Sequence, residues 1–370
     1  VYGDVLININ NGTIKESVYG GGKGGGANGT YVSRNVDVNI GSASTTALTI
    51  TKNVYGGSAF GTVNGIAQNE GANDSHVRVT VNKGTISGNV FGAGEGDSTY
   101  TPIEYGNVYV HVNGGSITKV FGGNDSKGSP SGVDIVYLNG GTSGDAFGGG
   151  NNTGQTNSDI RLQGSTITGN LYGGSNASGD VSNTYVKITN GSATEVYGGN
   201  NLGGEAGNTH VNITGGTIST AVYGGGKQAD STQTDIIIDG CTVPDVYGGG
   251  KQAGVDTSTK IKMTNATGGK IFGGSNTSGD VGTSSVTIEG STVTDVYGGN
   301  NSGGTTTTTN VTLTTTNATN VYGGGDQASS TTSNITVNSG TITNLYGGGN
   351  KAGVDDTHIT VNGGSIPNLF

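Results

Sequence analysis

The chain has 370 residues, 76 of them glycine, with 30% hydrophobic and 11% charged residues and a formal net charge of −10. So little apolar material does not fill the two or three globular cores that this length would otherwise suggest, and four prolines without glycine at every third position exclude collagen. The negative charge argues against nucleic acid and anionic membrane surfaces as partners, and no run of 18 apolar residues is present to span a bilayer.

Periodicity separates a disordered glycine-rich polymer from a repeat protein with a thin core. The chain opens inside a repeat, Val1-Tyr2-Gly3, and closes inside one, Leu369-Phe370, so it reads as a segment of a longer polypeptide. An aliphatic-aromatic-glycine signature recurs at Tyr2, Tyr19, Tyr55, Phe91 and Phe121, with gaps of 17, 36, 36 and 30 residues. Insertions account for the long gaps: Gly21–Asn35, Phe60–Ser75 and Gly94–Asn107. They read either as drift in surface loops or as a local binding or packing site.

From Phe121 the signature continues at Phe147, Tyr172, Tyr197, Tyr223, Tyr247, Phe272, Tyr297, Tyr322, Tyr346 and Phe370, and the gap locks at 24 to 26 residues. Within each copy four apolar positions recur, as in Val286, Ile288, Val293 and Val296, or Val211, Ile213, Ile218 and Val222. Two further sets are Ile335, Val337, Ile342 and Leu345, and Ile359, Val361, Ile366 and Leu369. The first two members alternate at period 2, which predicts a strand with one buried face. A turn and a second short strand lead into the aromatic. One repeat cannot bury its aliphatics alone, but a stack of repeats can.

The expected fold is therefore all-β: a parallel β-solenoid, right-handed by the crossover rule, of about 14 coils of about 25 residues. The expected organisation is a single solenoid over residues 1–370, irregular over 1–120 and regular over 121–370. Two residues before each aromatic from Phe121 onward, the series runs Lys119, Asp145, Asn170, Glu195, Ala221, Asp245, Lys270, Asp295, Asn320, Asn344, Asn368. No two acids are consecutive, as stacking of these residues requires.

A longer period overlies the short one. Gly173–Val181 (GGSNASGDV) returns as Gly273–Val281 (GGSNTSGDV), and Gly198–Gly204 (GGNNLGG) returns as Gly298–Gly304 (GGNNSGG). The unit is four coils, about a hundred residues, which advance the axis by about 19 Å. It reflects either duplication alone or a lateral contact made once every four coils.

The ladder Tyr19, Tyr55, Phe91, Phe121, Phe147, Tyr172, Tyr197, Tyr223, Tyr247, Phe272, Tyr297, Tyr322, Tyr346 is a structural candidate through ring stacking. Phenylalanine replaces tyrosine within it, so the hydroxyl is dispensable; lateral contact and sugar stacking are the alternatives. Asp180, Asp256, Asp280 and Asp355 lie in glycine-rich loops and are weak calcium candidates, set against the ordinary use of Asp and Asn in turns. No cofactor is otherwise expected. The acids are scattered rather than paired for general acid–base work, and His76, His111, His210 and His358 lack metal-ligand spacing. The Gly20–Gly26 run lacks the Lys-Ser/Thr ending of a phosphate loop. Outward threonines Thr287, Thr312, Thr336 and Thr360 give way upstream to Arg161, Lys187, Asn212, Ile237 and Lys262, so no uniform ice-binding array forms. A single cysteine, Cys241, excludes an intrachain disulfide framework.

The stretch Gly215–Gly226 (GGTISTAVYGGG) resembles the repeats of large bacterial surface and secreted β-solenoid proteins of adhesin type. The resemblance covers nearly the whole chain. It implies export to the cell surface or beyond, a rod, stalk or fibre role without catalysis, and self-association, with a glycan or host surface as a further partner. The alternative is a glycan-binding or polysaccharide-processing β-helix.

Overall fold

A computed structural model describes residues 1–24, 29–65 and 75–370. Parts of the insertions Gly21–Asn35 and Phe60–Ser75, namely residues 25–28 and 66–74, lie outside the described residues. Every regular element among the described residues is a β-strand, and no helix is long and apolar enough to cross a membrane. The fold is a parallel β-solenoid. About ten turns are regular, the 24–26-residue intervals from Phe121 to Phe370. The expected fourteen had counted the four irregular intervals before Phe121 as well.

The chain divides into two compact units, Val1–Ala193 and Thr194–Phe370. In the first, strands Val5–Ile9, Val36–Ile40, His76–Val81, Asn107–Val112, Val133–Leu138 and Gln155–Ile167 pair in parallel, each with the next coil's equivalent. In the second, the same ladder runs through Ala206–Ile213, Ser231–Asp239, Val255–Thr264, Val281–Glu289, Thr306–Thr314, Ser330–Val337 and Val354–Val361. Register is kept side chain on side chain, as in Ile261↔Val286↔Val311↔Ile335.

The core is thin and aliphatic. Val286, Ile288, Val293 and Val296 are buried, as are Val211, Ile213, Ile218 and Val222, and Ile335, Val337, Ile342 and Leu345. The fourth set differs. Val361 and Leu369 are exposed and Ile359 and Ile366 half-buried, because the last described coil has a neighbour on one side only.

In the second unit the strands from Ala206–Ile213 to Ser330–Val337 also turn a hydroxyl inward, two residues before the first core aliphatic. Thr209, Thr234, Thr259, Ser284, Thr309 and Ser333 are fully or almost fully buried. Each donates to the carbonyl of the first glycine after the aromatic of its own coil: Thr209 Oγ1 to Gly224 O at 2.6 Å, Thr234 Oγ1 to Gly248 O at 2.6 Å, Ser333 Oγ to Gly347 O at 2.6 Å. In the first unit Ser158 Oγ bonds Gly173 O in the same way. A buried carbonyl without a donor costs about 1–3 kcal/mol, which favours Ser or Thr in these coils, while Val36, Val77 and Val108 hold the same row in earlier coils.

That glycine is required by space. A Cβ on Gly198, Gly248, Gly273 or Gly298 would lie 2.1 Å from the carbonyl oxygen of the equivalent glycine one coil on. None of these four has a positive φ; close backbone approach is the reason.

The stacking implied by the charge series is present. Lys119 Nζ lies 2.9 Å from Asp145, Lys270 pairs in register with Asp295, and Asn320 and Asn344 continue the row with amide-to-oxygen bonds of 2.8 Å each. Similar asparagine ladders run through Asn82, Asn113 and Asn139, and through Asn310 and Asn334.

The four-coil period has packing content. Three residues after the aromatic, the second unit reads Asn200, Gly226, Gly250, Ser275, Asn300, Gly325, Gly349. Ser275 and Asn300 are fully buried. Ser275 donates its N–H to Asn300 Oδ1 at 2.8 Å and its hydroxyl to Ala253 O at 2.8 Å. A Cβ on Gly325 would meet Asn300 O at 2.3 Å. The residue allowed at this corner in one coil thus depends on the coils beside it.

Candidate functional site

The outward face of the strands in the first unit carries the most varied chemistry. Strand alternation puts every second residue outside, and register aligns them: Asp37↔Arg78↔Tyr109 in one row, His111↔Tyr137↔Arg161 in the next. The Arg78 guanidinium sits 5.6 Å from the Tyr109 ring centroid and that of Arg161 5.1 Å from Tyr137. The His111 ring stacks on Tyr137 at 4.7 Å. Asp159 fixes Arg161 through a 2.5 Å ion pair, and Asp37 receives Arg78 and His76 at 3.4 Å each. Burial, then the neighbouring Arg78 charge, pushes the His111 pKa down. In the next coil Tyr185 stands beside Asp159 in register and is 44% exposed.

Partly exposed ion pairs contribute only about 0–1 kcal/mol, so stability does not require this grouping. Chemically, half-exposed ring faces beside guanidinium and carboxylate groups suit a ligand with both apolar C–H faces and hydroxyls. The equivalent rows of the second unit hold Lys260, Ser285 and Asn310, and Lys262, Thr287 and Thr312. The sequence reading missed this face. Its signal was Tyr109, Tyr137 and Tyr185 lying at the outward phase of a strand, away from the repeating aromatic position.

From Tyr55 to Tyr322 the repeating aromatics lie elsewhere, in a buried corner beside the glycines, while Tyr2 and Phe370 are exposed. In the first unit Tyr19, Tyr55, Phe91, Phe121, Phe147 and Tyr172 stack at 4.7–5.1 Å with interplanar angles of 4–9°. In the second, Tyr197, Tyr223, Tyr247, Phe272, Tyr297, Tyr322, Tyr346 and Phe370 stack at 4.5–4.9 Å and 2–11°. Strand spacing of about 4.8 Å sets this distance. Tyr55, Phe91, Tyr197 and Tyr223 are at most 2% exposed, which leaves no ring face for a sugar at these coils. The hydroxyls reach the rim: Tyr19 donates to Glu95 at 2.7 Å, Tyr55 to Asp125 at 2.9 Å and Tyr197 to Glu195 at 2.6 Å.

Burial raises these phenols, to about 12 for Tyr19 and Tyr223, with Tyr55, Tyr247 and Tyr297 also raised. Folded values above the unfolded value of about 10 make their contribution complete below pH ~10 and lost as pH rises through ~12. Ladder tyrosinate is therefore expected to appear together with loss of the β circular-dichroism signal. Ultraviolet difference absorbance recorded alongside circular dichroism checks this; ladder ionisation in a fully folded chain would contradict it.

The four loop aspartates, Asp180, Asp256, Asp280 and Asp355, are all exposed. Asp280 Oδ1 accepts from the backbone N–H of Thr305 at 2.8 Å and from its hydroxyl at 2.9 Å, tying one coil to the next. Among the described residues no group of three or more His, Cys, Asp or Glu is placed to hold a metal. Cys241 is a half-buried free thiol directed at Ile213 O, 3.6 Å away, its pKa raised by burial.

Compared with protein-family models, curated proteins and solved structures, the chain matches none.

Proposed function

We propose that the chain is an extracellular structural or adhesive repeat element of adhesin-like type, without catalytic activity, in which stacked coils build a rod, stalk or fibre. The observation supporting this reading is where the side chains go: aliphatic, aromatic and asparagine rows each bond or pack onto the next coil, and buried hydroxyls close individual coils. Repetition of that kind stabilises by nearest-neighbour terms and extends without a size limit. Self-association, lateral or end to end, follows as the mode of assembly.

A second reading is favoured by the Arg78, Tyr109, His111, Tyr137 and Arg161 face, which suits a glycan ligand and would make the element a glycan-binding β-helix. Electron microscopy of the native material tests the first. Long continuous fibres are expected, and an axial spacing of about 19 Å would mark a contact made every four coils. Isolated short particles that bind polysaccharide, and lose that binding in Tyr109→Ala, would overturn the structural reading in favour of the second.

A further inference from the structure

The first unit buries two carboxylates in a solenoid core that is otherwise neutral at their positions. Asp134 occupies the inward row that reads Val36, Val77, Val108, Asp134, Ser158, Thr184 through successive coils. It is fully buried, and neither carboxylate oxygen has a hydrogen-bond partner. Glu104 comes from the inserted segment Gly94–Asn107, where Ile103–Glu104 pairs in parallel with Thr62–Val63. It too is fully buried, with Oε1 unpartnered.

Two amide side chains complete the group. Asn124 is fully buried; its Nδ2 donates to Glu104 Oε2 at 3.1 Å and its Oδ1 is unpartnered. Gln155 is 5% exposed and has no partner for either amide atom.

The glycine corner shows that these groups adjoin one another. A Cβ on Gly123, the residue before Asn124, would lie 2.6 Å from Asp134 Oδ2. One on Gly149 would lie 2.6 Å from Gln155 Nε2, and Gly123 N–H bonds Gly149 O at 3.2 Å. Cβ atoms on Gly57 and Gly94 would fall 2.4 Å and 2.6 Å from Glu104 Oε1. Glycine at these corners leaves the room that the carboxyl groups occupy.

Unpaired buried carboxylates are among the costliest groups a fold can hold. Burial pushes Glu104 up to about 7 and Asp134 well above the ordinary carboxylate range, the Glu104 charge adding to the latter. Two buried carboxylates and two buried amide oxygens match the needs of a hard divalent cation, which takes six to eight oxygens and is held by carboxylates and amide carbonyls. A 2+ ion neutralises the pair.

We propose that Glu104, Asn124, Asp134 and Gln155 form a buried calcium-type cation site in the first unit, which ties the inserted segment Gly94–Asn107 to the solenoid core. The site is distinct from the exposed loop aspartates.

The test uses the full chain, equilibrated with calcium chloride at neutral pH, gel-filtered and analysed for bound metal, with thermal melts beside it. About one tightly held calcium per chain is expected, with Tm raised by about 3–6 °C in millimolar calcium. Glu104→Gln combined with Asp134→Asn should abolish both effects, while Asp180→Asn combined with Asp280→Asn should leave both intact. If the first double variant misfolds, Asp134→Ser replaces it, since serine is the residue in the next coil. No retained calcium in the unaltered chain would overturn the proposal, leaving two protonated acids in the core. Equal retention after Asp134→Ser or the first double substitution would overturn it as well.

Discussion

Gly248→Ala is expected to destabilise the second unit by about 3 kcal/mol or more, although it adds a single methyl group. The new Cβ would sit 2.1 Å from Gly273 O and 3.0 Å from both Gly273 C and Thr259 Cβ. Two of those three atoms are backbone, held in the parallel ladder, so no rotamer change relieves the clash. Either the coil spacing opens locally or the corner unfolds. An opening also breaks the Thr234 hydroxyl bond to Gly248 O and disturbs the stack of Tyr247 on Phe272. Gly240→Ala is the control, because a Cβ there meets nothing within 4 Å, though its φ of +65° adds modest strain. Urea melts of the two variants give the comparison. A Gly248→Ala midpoint no lower than that of Gly240→Ala would show that the spacing yields easily and that glycine at this corner is not required by space.

The second large effect is expected from Ile288→Asp. Ile288 is fully buried, stacked in register between Met263 and Leu313. No donor is available to a carboxylate inside that aliphatic row. The acid must either stay protonated or force the coil open, at a cost of about 4 kcal/mol or more. Thr287→Asp, one residue away on the outward phase, should cost less than about 1 kcal/mol. Hydrogen exchange adds location: amides of Val281–Glu289 and of the strands on either side, Val255–Thr264 and Thr306–Thr314, should lose protection first, since each coil is held by its neighbours. An unchanged melting curve for Ile288→Asp would mean that the residue does not face the core.

The fold was legible because its two strongest signals are local and repeated. The aromatic-glycine-glycine corner fixed the period, and the alternation of Val286 with Ile288 fixed which strand face is buried. Less legible were residues whose type has two meanings. Thr259 and Ser284 are of types common on an outward strand face, yet they point inward and donate to a glycine carbonyl. The charge series already placed Asn320 in a stacked row, but the amide ladder of Asn310 and Asn334 is visible only once the register is known. Glycine after the aromatic has two possible meanings, backbone freedom and close approach, and only the distances assign Gly248 and its equivalents to the second. The candidate sites were hardest to read. Tyr109 and Tyr137 become a face only when adjacent coils align them. Glu104 and Asp134 meet across 30 residues, one from an insertion and one from a strand, and no spacing rule joins those two.

The hydroxyl-to-carbonyl bonds of the core have a bearing on how such a chain acquires its structure. Thr209 to Gly224 spans 15 residues, and Thr234 to Gly248 and Ser333 to Gly347 span 14 each, all within a single coil. The asparagine bonds between coils span 24 to 26. A shorter loop closes at a smaller entropic cost, and low contact order favours rapid folding. Each of these coils therefore has a clasp of its own that can shut before the next coil exists, and the finished coil then offers a ready template. Growth can proceed one coil at a time from a single end, in the order in which the chain is delivered. A polypeptide threaded through a pore or leaving a ribosome would fold behind the exit without waiting for its far end.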